Sequence, residues 1–151
     1  MDDVHPTSAR WTHVALPCHD LDESLAWYAR FTPLSVLDRR ADAHGSAAWL
    51  GHADQPEHPF VLVLVCPLDT TARPRPTLAP FAHLGIEVPT RAEVDRIAAE
   101  ADSAGCLQWQ PIDHDPPVGY VCALADPDGN LVEFSHDQGV YAKAREVWGG
   151  S

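Results

Sequence analysis

The chain has 151 residues, of which 45% are hydrophobic and 21% are charged, a composition typical of one globular domain or of two small modules sharing one core. Ten basic and twenty-two acidic side chains give a net charge of −12, which disfavours binding to nucleic-acid phosphates and to anionic membrane surfaces. The longest apolar run, Phe60 to Cys66, is too short for a transmembrane helix. The first residues, Met1-Asp2-Asp3, have neither the basic nor the apolar region of a signal peptide, so we expect a cytoplasmic protein.

Two parts of the chain repeat one pattern. Trp11 to Tyr28 and Phe81 to Ile97 each read as an alternating apolar strand followed by an amphipathic helix. Asp20 and Thr90, each three residues before a glutamate, are predicted to cap these helices. Three strand-like runs follow each helix: roughly Leu34–Arg39, Ser46–Gly51 and Phe60–Cys66, and then Leu107–Ile112, Val118–Ala125 and Leu131–Ser135.

This order of elements predicts an α+β fold made of paired βαβββ modules, because a repeated unit that cannot close its own core packs against its copy. Module one covers about residues 10–66 and module two about residues 81–136. A proline-rich linker, about 67–80, joins them within a single domain. The tail, 137–151, is predicted to contain a short helix around Tyr141–Trp148.

Three residues form a predicted metal site. His13 and His83 occupy equivalent positions of the two repeats, on the strand face that points away from the helix. Glu133 lies in an otherwise apolar strand, where a buried carboxylate costs several kcal/mol unless it is paired or bound to a metal. Two imidazoles and one carboxylate are the protein ligands of many open sites for Fe, Mn, Co, Ni or Zn. A strand histidine taken alone is more commonly an ordinary hydrogen-bonded residue, so the prediction depends on the coincidence of all three.

Four further residues are weaker candidates. His114, in the predicted loop 113–117, and Tyr120 are candidate acid–base groups. Trp49 and Trp109 are candidate walls of a substrate pocket, although aromatic residues in strands commonly belong to the core.

The motifs around these residues resemble those of the vicinal oxygen chelate superfamily, which contains glyoxalases, extradiol dioxygenases, fosfomycin-resistance enzymes and bleomycin-binding proteins. They are His13-Val14-Ala15-Leu16 with Asp20 to Ser24, then His83 to Val88, then Asp126-Pro127-Asp128-Gly129-Asn130 before Glu133. The resemblance covers about residues 10 to 136. It implies a cupped half-barrel sheet with flanking helices, His13, His83 and Glu133 as ligands of a divalent metal, and a homodimer.

Departures from the branches of that superfamily leave the reaction open. A glyoxalase would have a glutamate near Val63, a fosfomycin-resistance enzyme a threonine at Ala15, and an extradiol dioxygenase a tyrosine at Ala123. We therefore expect a metal-dependent lyase, isomerase or dioxygenase that acts on a small oxygenated metabolite. The alternative is a metal-independent protein that sequesters a small molecule, such as an antibiotic, in the manner of the bleomycin-binding members.

Overall fold

The computed structural model of the protein describes residues 13–43, 45–55, 61–68, 83–115 and 118–139, without the side chain of His13. The chain divides into two compact units, Met1–Arg73 and Pro74–Ser151, and the boundary falls in the segment predicted to be a linker. Each unit has the element order βαβββ, so the predicted α+β fold of two such modules is confirmed. The predicted tail helix, Tyr141–Trp148, lies outside the described residues.

The first unit is a four-stranded sheet with one helix, α1 (Leu21–Phe31). Its strands are β1 (His13–Pro17), β2 (Ser35–Asp42), β3 (Gly45–Gly51) and β4 (Val61–Pro67), in the spatial order β1-β4-β3-β2. β1 runs parallel to β4, and the other neighbouring pairs are antiparallel. Asp20 caps α1 as predicted, because its carboxylate accepts a hydrogen bond of 2.9 Å from the backbone N–H of Glu23.

The second unit repeats this arrangement with α2 (Arg91–Ala104). Its strands are β5 (Leu84–Glu87), β6 (Leu107–His114), β7 (Gly119–Ala125) and β8 (Leu131–His136), in the spatial order β5-β8-β7-β6. The Thr90 side chain caps α2 by accepting from the backbone N–H of Glu93 at 3.1 Å, and α2 ends at Gly105, which has a φ of 76°. Neither sheet closes into a barrel.

Each core lies between a sheet and its own helix. In the first unit Leu16, Leu62 and Leu64 are fully buried, and in the second unit Leu124 and Phe134 are fully buried. Burial of one such side chain contributes about 1.5–3 kcal/mol. Neither α1 nor α2, the helices in the described part of the chain, is long and apolar enough to cross a membrane. The other face of each sheet also contains buried residues, such as Val63 in the first unit and Ala123 in the second.

Candidate functional site

Glu133 is a nearly buried carboxylate in the middle of β8. Only 6% of its surface is exposed, and it lies opposite Gly85 of β5 and Ala123 of β7. Its strand neighbours Val132 and Phe134 are fully buried, so alternation directs Glu133 away from the core formed with α2. A Cβ placed on Gly85 would meet no atom of the described residues within 4 Å, its chain neighbours aside. The small flanking residues therefore leave open space on the β5 side of the carboxylate.

The turn before β8 fixes the start of the strand that carries Glu133. Asp126 is buried, and its carboxylate accepts hydrogen bonds from the backbone N–H of Asp128 at 2.9 Å and of Asn130 at 2.8 Å. It also accepts one from the side-chain amide of Asn130 at 2.9 Å. An aspartate side chain that accepts from the backbone N–H two residues later forms an Asx turn, the usual way in which aspartate stabilises a turn. The Asp-Pro-Asp-Gly-Asn motif thus positions β8, and its side chains do not join the site.

The imidazole of His83 lies beside the Glu133 carboxylate. The distance from His83 Nε2 to Glu133 Oε2 is 3.5 Å, and the His83 side chain is 36% exposed. Two donor atoms that each lie about 2.1 Å from a common metal are about 3.0 Å apart at an octahedral angle and about 3.4 Å apart at a tetrahedral angle. The observed separation therefore fits two ligands of one metal ion, and the donor types fit a divalent transition metal.

Trp109 covers one side of this pair. Its position opposite Ala123 places it on the same sheet face as Glu133, two strands away. The indole reaches across the small Ala123 side chain to His83, and the two rings are 5.8 Å apart between centroids at an interplanar angle of 79°. An edge-to-face contact of this geometry restricts the rotation of the imidazole. Trp109, predicted as a pocket wall, thus contacts a predicted ligand directly.

Gln138 is a site residue that the sequence patterns did not indicate. Its side-chain amide donates a hydrogen bond of 3.2 Å to Glu133 Oε1, the oxygen that does not face His83. The chain reaches this position because Asp137, directly after β8, has a φ of 59° and turns the backbone out of the strand. An amide on one carboxylate oxygen orients the other oxygen towards the imidazole.

The first unit has no carboxylate at the position that corresponds to Glu133. In the second unit the residue two after His83 is Gly85, which pairs with Glu133, and in the first unit the residue two after His13 is Ala15, which pairs with Val63. Val63 is nearly buried and lies opposite Trp49, which is half-buried. The register therefore makes Val63 the counterpart of Glu133, at the position near which the resemblance to glyoxalases implied a glutamate.

The described residues supply two of the three predicted metal ligands. The backbone of His13 opens β1 opposite Val61, and its side chain lies outside the described residues. Within the described part of the chain, no group of three or more His, Cys, Asp or Glu side chains is arranged to hold a metal. The part of the predicted site that the structure describes is the pair His83 and Glu133.

His114 closes strand β6, which corrects the prediction that it lies in a loop. The strand continues to His114 because Asp113 and His114 pair with Tyr120 and Gly119. This register puts His114 on the same face as Glu133 but two strands away and about 13 Å further along the strand direction. An acid–base role for this exposed imidazole stays a prediction.

Tyr120 lies on the other face of the sheet, next to α2. Its hydroxyl donates a hydrogen bond to the carboxylate of Asp95, and this bond raises the pKa of Tyr120. The guanidinium of Arg91 lies over the ring at 3.7 Å and forms a bidentate ion pair with Asp113, which lowers the pKa of that carboxyl. Since these partners hold Tyr120 on the helix side, we leave it out of the proposed site.

Comparison with known proteins places this geometry in a family. The family model of the Glyoxalase/Bleomycin resistance protein/Dioxygenase superfamily matches residues 10–134. The uncharacterized protein PA2024 of Pseudomonas aeruginosa is 39% identical over 128 residues, which are 84% of this chain and 88% of that protein.

Two solved structures illustrate the similarity of the fold. The trypanothione-dependent glyoxalase I of Leishmania major is 22% identical with a TM-score of 0.69, over 93% of this chain and 95% of that one. A mutant of the fosfomycin resistance protein FosX of Listeria monocytogenes, complexed with Mn(II) and a dihydroxypropylphosphonic acid, is 15% identical with a TM-score of 0.59, over 85% of this chain and 92% of that one. At these identities the similarity concerns the fold alone.

Proposed function

This chain belongs to the Glyoxalase/Bleomycin resistance protein/Dioxygenase superfamily, and from that premise we propose that it is a divalent-metal-dependent enzyme acting on a small oxygenated metabolite. His83 and Glu133 would hold the metal, with His13 as the third protein ligand. The ion would be Fe, Mn, Ni, Co or Zn, the metals that accept imidazole and carboxylate together. The FosX mutant complexed with Mn(II) supports a metal in this fold.

One observation carries the proposal: a nearly buried carboxylate with an imidazole nitrogen 3.5 Å from one of its oxygens. Burial of Glu133 without full compensation is costly, and its described partners are one amide and one half-exposed imidazole. A divalent cation between the two side chains would compensate the buried charge. The pair therefore has the electrostatics of a ligand set rather than of a solvated surface contact.

The other residues around the pair support substrate binding. The side-chain amide of Gln138 donates a hydrogen bond to Glu133 Oε1, so that Oε2 remains directed to His83. Gly85 leaves the space into which a substrate oxygen would enter, and Trp109 shields the imidazole on the opposite side. When bound, the metal supplies Lewis-acid polarisation of that oxygen. The expected reactions are isomerisation, elimination or ring cleavage with dioxygen.

Metal analysis of protein purified without chelators tests the proposal. We expect about one metal ion per chain, and a loss of that ion in Glu133→Gln and in His83→Ala, since removal of one of three ligands weakens binding steeply. Glu100→Gln on α2 is the matched control, because it makes the same substitution at a carboxylate that pairs with Arg96 instead. Stoichiometric metal in Glu133→Gln, or no uptake of any of the five ions by the native chain, would overturn the proposal. The latter result would favour metal-independent binding of a small molecule.

A mixing experiment locates the third ligand. If a second copy of the chain supplies His13, a mixture of His13→Ala and Glu133→Gln proteins regains metal in mixed dimers. If His13 of the same chain completes the site, the mixture binds no more metal per chain than either variant alone. Either result agrees with the proposed ligand set, and uptake by His13→Ala alone at native affinity would remove His13 from it.

A further inference from the structure

Ser135 is a fully buried residue whose hydroxyl has no hydrogen-bond partner among the residues that the structure describes. A buried hydroxyl without a partner costs about 1–3 kcal/mol, so such groups are rare unless a ligand or a water molecule satisfies them. Ser135 follows Glu133 by two residues, and alternation places both on the same face of β8. The unsatisfied hydroxyl therefore belongs to the same face as the proposed metal ligands.

A carboxylate stands beside this hydroxyl on the neighbouring strand. Glu87 of β5 pairs directly with Ser135 of β8, just as Gly85 pairs with Glu133 in the preceding row. The two rows are about 7 Å apart along the strands. Glu87 is exposed, whereas the apolar Val121 lies opposite Ser135 on its other side. Ser135 thus has a carboxylate, that of Glu87, as its neighbour on β5 and an apolar side chain, that of Val121, as its neighbour on β7.

The route to Ser135 lies along β5. Within the described part of the chain β5 is an edge strand, Gly85 and Glu87 are exposed, and a Cβ position on Gly85 has no neighbouring atom within 4 Å. A ligand with one end at Glu133 would extend over Gly85 and bring its other end between Glu87 and Ser135. Because Ser135 is fully buried, the distal end must displace the atoms that cover its hydroxyl.

We propose that Ser135 and Glu87 form a second subsite, which binds a hydrogen-bond donor group of the substrate, a hydroxyl or a protonated amine. The substrate is then a small metabolite that has metal-binding oxygens at one end and a hydroxyl or protonated amine about two carbons away from them. Glu87 accepts the donated hydrogen, and the Ser135 hydroxyl completes the contact. The inference rests on the proposed metal site, since that site anchors the other end of the substrate.

The charge of the subsite excludes one class of substrate. A carboxylate or phosphonate at the same position would meet the Glu87 carboxylate at short range, and the net charge of −12 adds a repulsive field. Substrates with an anionic distal end are therefore rejected.

Binding of a matched series of hydroxamates to Mn(II)-loaded protein tests the subsite. The hydroxamate group chelates the metal, and the distal end is varied: methyl in butyrohydroxamate, hydroxyl in β-hydroxypropionohydroxamate, ammonium in β-alanine hydroxamate and carboxylate in succinic monohydroxamate. By titration calorimetry we expect the hydroxyl and ammonium compounds to bind about tenfold more tightly than the methyl compound, and the carboxylate compound to bind more weakly. Ser135→Ala should abolish the advantage of the hydroxyl compound, and Glu87→Gln that of the ammonium compound. In both variants the Kd of butyrohydroxamate should stay unchanged.

The possible failures are distinguishable. If no hydroxamate binds, both the metal site and the subsite that depends on it are overturned. If all four compounds bind with equal affinity, the subsite alone is overturned. Urea unfolding of Ser135→Ala adds a readout without ligand: stability equal to or above that of the native chain supports an unsatisfied hydroxyl, whereas a clear loss indicates a structural partner such as a buried water and overturns the proposal. Ser103→Ala, at an exposed helix position, is the control in both experiments.

Discussion

Replacement of Asp126 by alanine tests whether the turn before β8 fixes the strand that carries Glu133. The carboxylate accepts three hydrogen bonds, two from backbone N–H groups and one from a side-chain amide, at 2.8 to 2.9 Å. Each hydrogen bond to a charged group is worth about 1.5–3 kcal/mol when its partner is buried. Because Asp128 and Asn130 are half-buried, water would replace part of this energy. We therefore expect Asp126→Ala to lower the free energy of unfolding by about 2–4 kcal/mol.

Urea unfolding followed by circular dichroism measures this loss. Asp126→Asn is the graded control: its side-chain oxygen still accepts from the two backbone groups, but its amide faces the amide of Asn130, so we expect a loss of about 1–2 kcal/mol. Metal affinity should also decrease from the native chain to Asp126→Asn to Asp126→Ala, since Glu133 follows Asn130, the last residue of the turn, by only three residues. An Asp126→Ala protein within about 0.5 kcal/mol of the native chain would refute the role of this turn.

Three further predictions concern the same unit. Gly119 and Gly129 both have a φ of 85°, but of the two only Gly119 has backbone close to the position of a Cβ, with the carbonyl oxygen of Asp137 at 2.8 Å. Urea unfolding should therefore show Gly119→Ala to be less stable than Gly129→Ala by about 1–3 kcal/mol. Gln138→Leu should weaken metal binding at least about tenfold in competition with a chelator, because Glu133 Oε1 loses its donor, and unchanged affinity would exclude this positioning role. Burial raises the pKa of the Cys122 thiol to about 11, so Cys122 should resist disulfide reagents at about pH 8 in the folded protein and react after unfolding, whereas the half-buried Cys66 and Cys106 serve as reactive references. Since the unfolded thiol ionises at about pH 8.5, stability should also decline as the pH rises above that value, and rapid labelling of Cys122 itself in the folded chain, located by peptide mapping, would contradict both expectations.

The repeat, the helix caps and the turn could be predicted because their causes are local. Asp20 and Thr90 cap helices through residues three positions away, and the Asp126 turn closes within five residues. The alternation in β8, which separates Glu133 from the buried Val132 and Phe134, could also be predicted, since it requires only a period of two along the strand.

The remaining features of the site depend on backbone irregularities that alternation does not describe. Trp109 and Ile112 are three residues apart but pair with Ala123 and Val121, two residues apart, because the register of β6 shifts between them. Pro111, which has no N–H for the ladder, suits such a bulge. The contact of Gln138 with Glu133 depends in turn on the positive φ of Asp137. Sequence spacing contains neither effect, so these contacts were not predicted.

X-ray absorption spectroscopy of the zinc-loaded protein tests the proposed ligand set most directly, because it reports the kind, number and distance of the ligand atoms. The account predicts two imidazoles and oxygen donors at about 2.0–2.2 Å in the native chain, and one imidazole fewer in His83→Ala when a large excess of zinc fills its weakened site. A spectrum without imidazole scattering, or one with sulfur at about 2.3 Å, would contradict the assignment of His83 and Glu133 as metal ligands.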